Sequence, residues 1–542
     1  MNAKLRSAVS RYSDVVLRNR HKMLLAILAT TAAMTLGKAF GADPSGAGIF
    51  ANDPATKAYL AVNMAWTIIM GALVWFMQLG FAFLGSGSLR SKAQINYWSK
   101  SYIDFSIGVV VFALIGFAFM FGGSGNTFPG YNDDKGNPIP IPGLEGGNQF
   151  IGWSGFGLAG GAYDVVTITY FFFEAVFAAT AVTIVAGMVA ERLKFQAYLI
   201  YTILINILIY PIYGHWVWGN GWLATLPFGV GARDFAGSGV VHAVGGFTGL
   251  AGAWLLGPRI GKYNKDGTPN SFPAHNIPFL FAGTFVLFFG WFGFNPGSTL
   301  AATDYRISVI AVNTYLAGGM AATVMAYLTY IVKKKSDPMA ICNGALGGLV
   351  AITAPCAYVT PLAAIVIGAI AGPLAIYGNK FVEKKLKIDD AVGAWGVHGA
   401  GGLFGLLSVG IFADGTYGGG TYNGVTYSGV TGILYGPLGA GQLVAQLIDM
   451  AVVAGFCFGM GLVIFGVIKK TMGLRVSPEV ELAGLDLHEH EYVAYPETVI
   501  FDIPTGDEEE QRRTHNVEMP PNLSRKTAPV VPTHGGKEKE SK

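Results

Sequence analysis

The sequence predicts an all-α integral membrane protein with about eleven transmembrane helices. Of its 542 residues, 52% are hydrophobic and only 13% are charged. The mean hydropathy of +0.45 is far above that of soluble globular domains. Apolar runs of about 20 residues recur, which is the length of a helix that crosses a bilayer, whereas membrane β-barrels show alternating segments of about 10 residues. The 76 glycines indicate helices that pack closely together.

The first 42 residues predict a cleavable signal peptide. Residues 1–22 carry several Lys and Arg side chains, an apolar stretch runs from Met23 to Gly37, and small residues surround Gly41. That order is typical of a secretory leader. An uncleaved extra helix is the alternative, because the basic region is longer than in most leaders.

The charges of the loops predict the orientation of the chain. The spans are expected near 58–84, 101–122, 163–189, 195–218, 234–257, 277–296, 307–332, 340–358, 360–380, 391–413 and 441–468. Basic side chains concentrate in one alternating set of loops, at Arg90, Lys92, Lys100, Arg192, Lys194, Arg259, Lys262, Lys265, Lys333 to Lys335, Lys380, Lys384, Lys385, Lys387, Lys469, Lys470 and Arg475. The other set carries only Lys57, Lys135, Arg233 and Arg306. The positive-inside rule therefore places the first set in the cytoplasm.

This topology predicts an internal inverted repeat. Spans one to five and six to ten form two units of five, and the eleventh is a final span. Because five is odd, the second unit is inverted relative to the first, with the mature N-terminus outside and the C-terminus inside. Inverted repeats with a site at their interface near the midplane are a known transporter architecture.

Two matching segments mark the expected centre of that repeat. Asp234 is followed eight residues later by His242, and Asp390 is followed eight residues later by His398. Ionisable side chains in apolar spans are costly and by default indicate a site or pathway. Eight residues at 1.5 Å each place either histidine roughly 12 Å below its own membrane face. In a hydrocarbon core of roughly 30 Å the two depths nearly meet, so we expect the histidines to be neighbours.

A histidine pair in apolar spans has three possible roles. The first is packing, with hydrogen bonds satisfied by neighbouring groups. The second is ligation of haem or a metal, which is disfavoured because zinc requires further ligands and the spans supply none nearby. The third is to line a path for a small polar species, since a neutral imidazole both donates and accepts hydrogen bonds.

Aromatic residues favour the third role. Phe173 and Phe177 are four residues apart and share a helix face. Trp291, Phe292 and Phe294 lie in the outer part of span six, and Trp218 ends span four on the outside. Each aromatic taken alone is more often a core residue. Together, Trp218, Phe173 and Ser298 are expected to form a cation–π and hydrogen-bonding vestibule for a small ammonium-like cation.

A series of spaced motifs between about residue 58 and residue 495 points to a known family. They are Phe173-Glu-Ala-Val-Phe177, Ala190-Glu-Arg192, Val217-Trp218-Gly, Asp234 to His242, Gly290-Trp-Phe-Gly-Phe-Asn295-Pro-Gly-Ser298, Asp389-Asp390 through His398-Gly, and Gly473-Leu-Arg-Val with Gly484-Leu-Asp. In this combination the chain resembles the ammonium transporter (Amt/Mep/Rh) family, on its Amt branch.

The resemblance implies a role for each matching residue. Trp218, Phe173 and Ser298 match the outer ammonium-recruitment site, Phe177 and Phe294 the stacked phenyl gate, and His242 and His398 the twin-His centre of the pore. Asp234 matches a buried aspartate that is structural or assists deprotonation. The resemblance also implies a homotrimer with one pore per subunit, and a PII-type signal protein as a partner at the cytoplasmic face.

The implied function is ammonium transport across the cell (inner or plasma) membrane. Ammonium and methylammonium are the expected substrates, and the chain is expected to be neither an enzyme nor a nucleic-acid-binding protein and to need no cofactor. An ammonium sensor that signals through its C-terminal tail is the alternative. A CO2 channel belongs to the Rh branch, and the pair of Trp218 and Ser298 argues against it.

The expected domain layout is a signal peptide at 1–42, a transmembrane domain at 43–472 and a cytoplasmic tail at 473–542 that is disordered from about 505. Two features depart from the expected pattern or stay unassigned. Glu174 stands where a neutral residue is expected, and Asp449 is a carboxylate within span eleven. The tail also reads His488-Glu-His490-Glu-Tyr, which differs from the pattern that the family tends to show.

Overall fold

Eleven apolar helices form the body of the protein in a computed structural model, which describes residues 43–50, 54–133, 135–422 and 425–495. Ten of these helices are long and apolar enough to cross a membrane, and one apolar helix is shorter. They are α1 (Pro54–Ser88), α2 (Ser91–Phe121), α3 (Val165–Val189), α4 (Phe195–Val217), α5 (Ser238–Leu256), α6 (Ile277–Thr299), α7 (Arg306–Lys333), α8 (Pro338–Thr353), α9 (Pro361–Leu386), α10 (Trp395–Phe412) and α11 (Gly439–Thr471). The predicted membrane-protein fold class is confirmed.

Several helices begin where a polar side chain satisfies the first backbone amides. Asp164 accepts a hydrogen bond from the Val166 N–H at the start of α3. The same kind of cap is made by Asn276 before α6, Asp337 before α8 and Thr360 before α9. In a membrane such caps matter because unpaired backbone groups at helix ends are costly.

The centre of the molecule is built from α3, α5 and α10, and glycine permits their close approach. An added Cβ at Gly246 of α5 would lie 2.6 Å from the Gly399 nitrogen of α10. An added Cβ at Gly402 of α10 would lie 2.5 Å from the Ser238 carbonyl of α5. Only a residue without a side chain fits at either crossing, as expected for membrane helices that pack through small residues.

Two small antiparallel hairpins lie in glycine-rich connections between the helices. Strand β1 (Thr127–Asn132) pairs with β2 (Pro138–Pro140), and β3 (Asp414–Tyr422) pairs with β4 (Val425–Thr431). Short 3-10 turns accompany them at Phe156–Leu158, Gly160–Ala162 and Ile433–Tyr435. Strand pairing was not predicted there, because these stretches lack the alternating apolar pattern that identifies a strand.

The chain after α11 folds back over the connections between helices. Two short helices, α12 (Pro478–Ala483) and α13 (Leu485–His490), follow it. The Asp486 carboxylate accepts hydrogen bonds from the backbone N–H groups of Gln94 and Asn96, both at 2.8 Å. Glu489 accepts one from the Phe195 N–H. This part of the tail is therefore fixed to the starts of α2 and α4.

Two predictions fall outside the described residues. The expected signal peptide lies at 1–42, and the segment expected to be disordered lies beyond residue 495. Both stay predictions.

Candidate functional site

Asp234 organises the segment that carries the first histidine. Its two carboxylate oxygens accept hydrogen bonds from four consecutive backbone N–H groups, those of Gly237, Ser238, Gly239 and Val240, at 2.7–3.0 Å. A π-helical turn, Ser238–Ala243, follows immediately and contains His242. π-helical turns are rare in proteins as a whole, and those that occur are often found at functional sites.

The second segment repeats this geometry. The Asp390 carboxylate accepts hydrogen bonds from the N–H groups of Val392, Gly393 and Trp395 at 3.4, 3.0 and 2.7 Å. A π-helical turn, Trp395–Ala400, again contains the histidine, His398. The carboxylates of Asp234 and Asp390 therefore both cap the backbone that leads into a π-helical turn.

The two histidines contact each other in the interior. Their Nδ1 atoms are 3.1 Å apart and their ring centroids 5.2 Å apart. One Nδ1 must carry the proton and the other must accept it, so the bond fixes complementary tautomers. The Nε2 atom of His242 is buried and has no hydrogen-bond partner among the described residues. An edge that can form hydrogen bonds is therefore unused at the centre of an apolar interior.

A column of aromatic rings leads to this pair from one side. Consecutive ring centroids are 4.8 Å apart for Phe173 and Phe177, 4.4 Å for Phe177 and Phe294, and 5.3 Å for Phe294 and His242. Phe173, Phe177 and Phe294 are buried, and the indole of Trp218 packs edge-on against Phe177 at 6.0 Å. The structure thus brings together in one file the aromatic residues predicted from the sequence.

Trp218 and Ser298 lie at the far end of the column and are only partly buried. The Trp218 indole N–H donates to the Asp234 carbonyl at 2.7 Å, which ties the tryptophan to the first histidine segment. The Ser298 hydroxyl donates to the Phe294 carbonyl at 2.8 Å, so its lone pairs stay available to a further donor. Gly297, next to Ser298, lies close to the Phe173 ring.

Two cavities lie on the other side of the histidines. The first, the inner cavity of about 20 Å³, is lined by His398, Phe81, Tyr97 and Thr183 among others, and it has room for one molecule the size of water. The second, the charged cavity of about 310 Å³, is more open and is lined by many charged groups. Asn343, Val392 and Gly393 line both cavities, so they are adjacent.

The charged cavity is bounded by a buried network of ion pairs. Arg259 binds Asp389 through two hydrogen bonds of 2.8 and 2.9 Å and contacts Glu191 at 3.1 Å. Arg90 also binds Glu191, at 2.5 Å. Burial alone would raise the pKa of the Asp389 carboxyl, but the guanidinium groups of Arg192 and Arg259 outweigh it and hold that pKa below its usual range.

A metal centre is not formed by the part of the chain that the structure describes. No group of three or more His, Cys, Asp or Glu side chains there has a metal-binding arrangement. The histidine pair offers two imidazoles, whereas a structural zinc site requires four ligands.

Several residues of the site were not predicted from the sequence. Phe81 packs against His398 with ring centroids 6.3 Å apart. Trp291, by contrast, was among the aromatic residues named from the sequence, and it stacks on His242 at 5.2 Å. Tyr97 and Thr183 line the inner cavity. Asp104, a fully buried carboxylate on α2, was missed as well. It was detectable, because the rule that identified Asp449 as an ionisable residue in an apolar span applies to it equally.

Comparisons with known proteins identify the family. The model of the Ammonium Transporter Family matches residues 65–495. The chain belongs to the ammonium transporter family. It is 47% identical to ammonium transporter Amt2 of Archaeoglobus fulgidus over 465 residues, which cover 85% of this chain and 92% of that protein. It is 36% identical to ammonium transporter 1 member 3 of Solanum lycopersicum over 454 residues, covering 80% of this chain and 93% of that one.

Solved structures of ammonium transporter relatives share the fold. A structure described as a Sensor Amt Protein is 37% identical and superposes with a TM-score of 0.69, covering 80% of this chain and 99% of its own. Mep2 of Candida albicans is 26% identical with a TM-score of 0.68, covering 84% and 96%. The protein is therefore an ammonium transporter family member and a multi-pass membrane protein, as the sequence predicts.

Proposed function

We propose that this ammonium transporter recruits NH4+ at the vestibule of Trp218, Phe173 and Ser298 and conducts it as NH3 past His242 and His398. The observation that carries the proposal is the contact between the two Nδ1 atoms, which leaves an Nε2 edge without a partner inside an aromatic column. Such an edge can exchange hydrogen bonds with ammonia without holding a full charge.

Desolvation explains why the proton leaves the ion. Between the vestibule and the histidines the lining consists of phenyl rings, and an intact cation would lose its hydration there without compensation. The faces of Trp218 and Phe173 attract the cation at the entrance, and the Ser298 hydroxyl accepts a hydrogen bond from it. Beyond the rings of Phe177 and Phe294, the pair of histidines replaces the hydrogen bonds that neutral ammonia leaves behind.

Asp234 has a structural role in this scheme. All four of its hydrogen bonds are to backbone N–H groups, and they fix the turn that carries His242. It also holds the recruitment site in place, because the Trp218 indole binds the carbonyl of the same residue. Any contribution of Asp234 to deprotonation would act through the negative charge of its carboxylate, near the gate of Phe177 and Phe294.

The assembly is proposed to be a homotrimer with one pore per subunit, anchored in the lipid bilayer. Large apolar side chains of α1, α7 and α9 are exposed, including Ile69, Tyr327 and Leu362, and they are suited to contact lipid or a neighbouring subunit. A PII-type signal protein is the proposed partner at the charged cavity on the cytoplasmic side. The proposed domains are a signal peptide at 1–42, the transmembrane domain at 43–472 and the cytoplasmic tail at 473–542.

A sensor role is the second candidate. It is favoured by the likeness to the structure described as a Sensor Amt Protein. Uptake of labelled methylammonium by cells that lack other carriers separates the two functions. A transporter accumulates the label, whereas a pure receptor does not.

The test of transport is uptake of labelled methylammonium together with ammonium-evoked current in proteoliposomes, with wild type beside His242→Ala. The wild type should carry ammonium and exclude K+, whose hydration the pore does not replace. His242→Ala removes the polar edge and should change both rate and selectivity, while His488→Ala, on the exposed tail, serves as the control. A robust K+ current in the wild type, or unchanged rate and selectivity in His242→Ala, would contradict the proposal.

A further inference from the structure

Three carboxyl groups lie inside the membrane-spanning helices and have no part in the proposed pathway. Asp104 on α2, Glu174 on α3 and Asp449 on α11 are all buried. Each has one carboxylate oxygen without a hydrogen-bond partner among the described residues. None of the three takes part in an ion pair found in the described part of the chain. A buried carboxylate without a cation is costly unless it binds a proton.

Their hydrogen bonds separate Asp104 from the other two. Asp449 is bound by the Tyr213 hydroxyl at 2.6 Å, and Glu174 is bound to Tyr170, one turn earlier on the same helix. Neither tyrosine lines the inner cavity. Asp104 accepts a hydrogen bond from the Thr183 hydroxyl at 2.8 Å, and Thr183 lines that cavity together with His398. A single hydroxyl group therefore separates the Asp104 carboxyl from the pore.

The arrangement around Thr183 has places for two protons. Three oxygen atoms lie within reach of its Oγ1, those of Asp104 at 2.8 Å, of the Gln78 side chain at 2.9 Å and of the Ala179 carbonyl at 3.0 Å. The hydroxyl has one proton to donate. In this orientation of the Gln78 amide, its oxygen faces the Thr183 hydroxyl. When Asp104 carries a second proton, its carboxyl group donates a hydrogen bond to Thr183, and Thr183 donates to the Gln78 oxygen. Without that proton, Thr183 donates to the carboxylate.

We propose that Asp104 stores a proton for the inner half of the pore and exchanges it with ammonia through the Thr183 hydroxyl. This inference rests on the proposed function and extends it to the path of the proton. The proton that leaves NH4+ at the gate crosses the histidine pair and is taken up by the Asp104 carboxylate by way of Thr183. When ammonia reaches the inner cavity, it takes the Thr183 proton, Thr183 takes the Asp104 proton, and NH4+ and a carboxylate remain.

The surroundings of Asp104 suit a group that alternates between charged and neutral forms. The titratable and polar side chains that face it are Tyr97 and Thr183, Tyr198 and Tyr201 of α4, and Gln78 of α1. All are uncharged at neutral pH. The amine of Lys100, one turn earlier on α2, donates to the Leu193 carbonyl. No fixed cation in the described part of the chain therefore neutralises the carboxylate, and the proton is left as its counter-charge.

The test measures ammonium-evoked charge transfer in proteoliposomes as the internal pH is varied between about pH 6 and 8. Asp104→Asn keeps the size of the side chain but cannot hold the proton, and it should lower the current by about 100-fold and flatten its pH profile. Thr183→Val should do the same with the carboxyl intact, whereas Thr183→Ser should retain the current. Asp449→Asn is the matched control, since it makes the same change at a buried carboxyl away from the inner cavity.

The outcomes separate this inference from the proposed function. Wild-type current that depends on His242 but is unaffected by Asp104→Asn and Thr183→Val would overturn the role of Asp104 alone. An equal loss in Asp449→Asn would also overturn it, because it would reflect damage to the helix packing. Absence of both methylammonium uptake and ammonium-evoked current in the wild type would instead refute the proposed function, whereas uptake without current would overturn the proton path through Asp104. If Asp104→Asn does not fold, the comparison of Thr183→Val with Thr183→Ser decides.

Discussion

The outer segment, from Asp234 to His242, and the inner segment, from Asp390 to His398, have the same backbone geometry. They are anchored to the rest of the protein by different groups. The outer segment is held by neutral groups: the Trp218 indole binds the Asp234 carbonyl, and the Ser238 hydroxyl donates to the Val350 carbonyl at 2.7 Å. The inner segment is preceded by Asp389, which lies in the buried ion-pair network.

The largest expected effect tests the charged anchor. Asp389→Ala removes the two hydrogen bonds between the buried guanidinium of Arg259 and Asp389 and leaves it only Glu191. Breaking a buried pair in this way costs about 3–5 kcal/mol. The free energy of unfolding should fall by that amount in denaturant titrations of the purified protein. Lys333→Ala is the control: its ion pair with Asp337 is exposed, and such pairs contribute at most about 1 kcal/mol.

The pH dependence of the same variant sharpens the result. Because the pKa of Asp389 is lowered in the folded protein, its contribution is complete above the ordinary aspartate pKa of about 3.9 and is lost as the pH falls below that value. The wild type should therefore lose more stability than Asp389→Ala on acidification through this range. Parallel pH profiles for the two proteins would show that the inner segment does not depend on this charge.

The second prediction compares the two capping aspartates. Asn has one acceptor oxygen where Asp has two, so Asp234→Asn leaves two of four buried N–H groups unpaired, and each unpaired group costs about 1–3 kcal/mol. Asp390→Asn should cost less, because Asn379 also holds the inner segment: it accepts from the Gly396 N–H and donates to the Gly393 carbonyl, both at 2.6 Å.

Thermal unfolding of both variants in one detergent measures this difference. Asp390→Asn combined with Asn379→Ala provides the control, since removal of both holds should bring the loss to that of Asp234→Asn. If Asp390→Asn alone is already the more damaging change, the comparison between the two halves is wrong.

The part of this site that follows from sequence is the part fixed by helix geometry. The spacing of eight residues from Asp to His, with the rise of 1.5 Å per residue, is enough to predict that His242 and His398 lie near the same depth. The π-helical turns were not predicted, because hydrophobic periodicity assumes 3.6 residues per turn. The network of Glu191, Arg259 and Asp389 joins different loops, so no local pattern contains it. Asp104 follows from the same pattern as Asp449, since each is an ionisable side chain in an apolar span.

The smallest expected effect concerns the glycine three residues after each capping aspartate. Gly237 and Gly393 have φ of +115° and +76°, where a residue with a Cβ costs about 1–2 kcal/mol. An added Cβ at Gly237 would lie 3.2 Å from the Trp218 ring, whereas at Gly393 it would lie 2.7 Å from the Asn379 amide. Gly237→Ala should therefore weaken the apparent affinity for ammonium as well as stability, and Gly393→Ala should reduce stability alone.

Gly125→Ala isolates the backbone term in this comparison. Gly125 also has a positive φ, +64°, but its Cβ would meet no atom within 4 Å, so only conformational strain remains. Thermal unfolding of the three variants separates strain from displacement of neighbours, and methylammonium uptake against concentration gives the affinity. An affinity change in Gly393→Ala equal to that in Gly237→Ala would mean that the recruitment site responds to both halves, because the strain is then transmitted through the contact between the histidines.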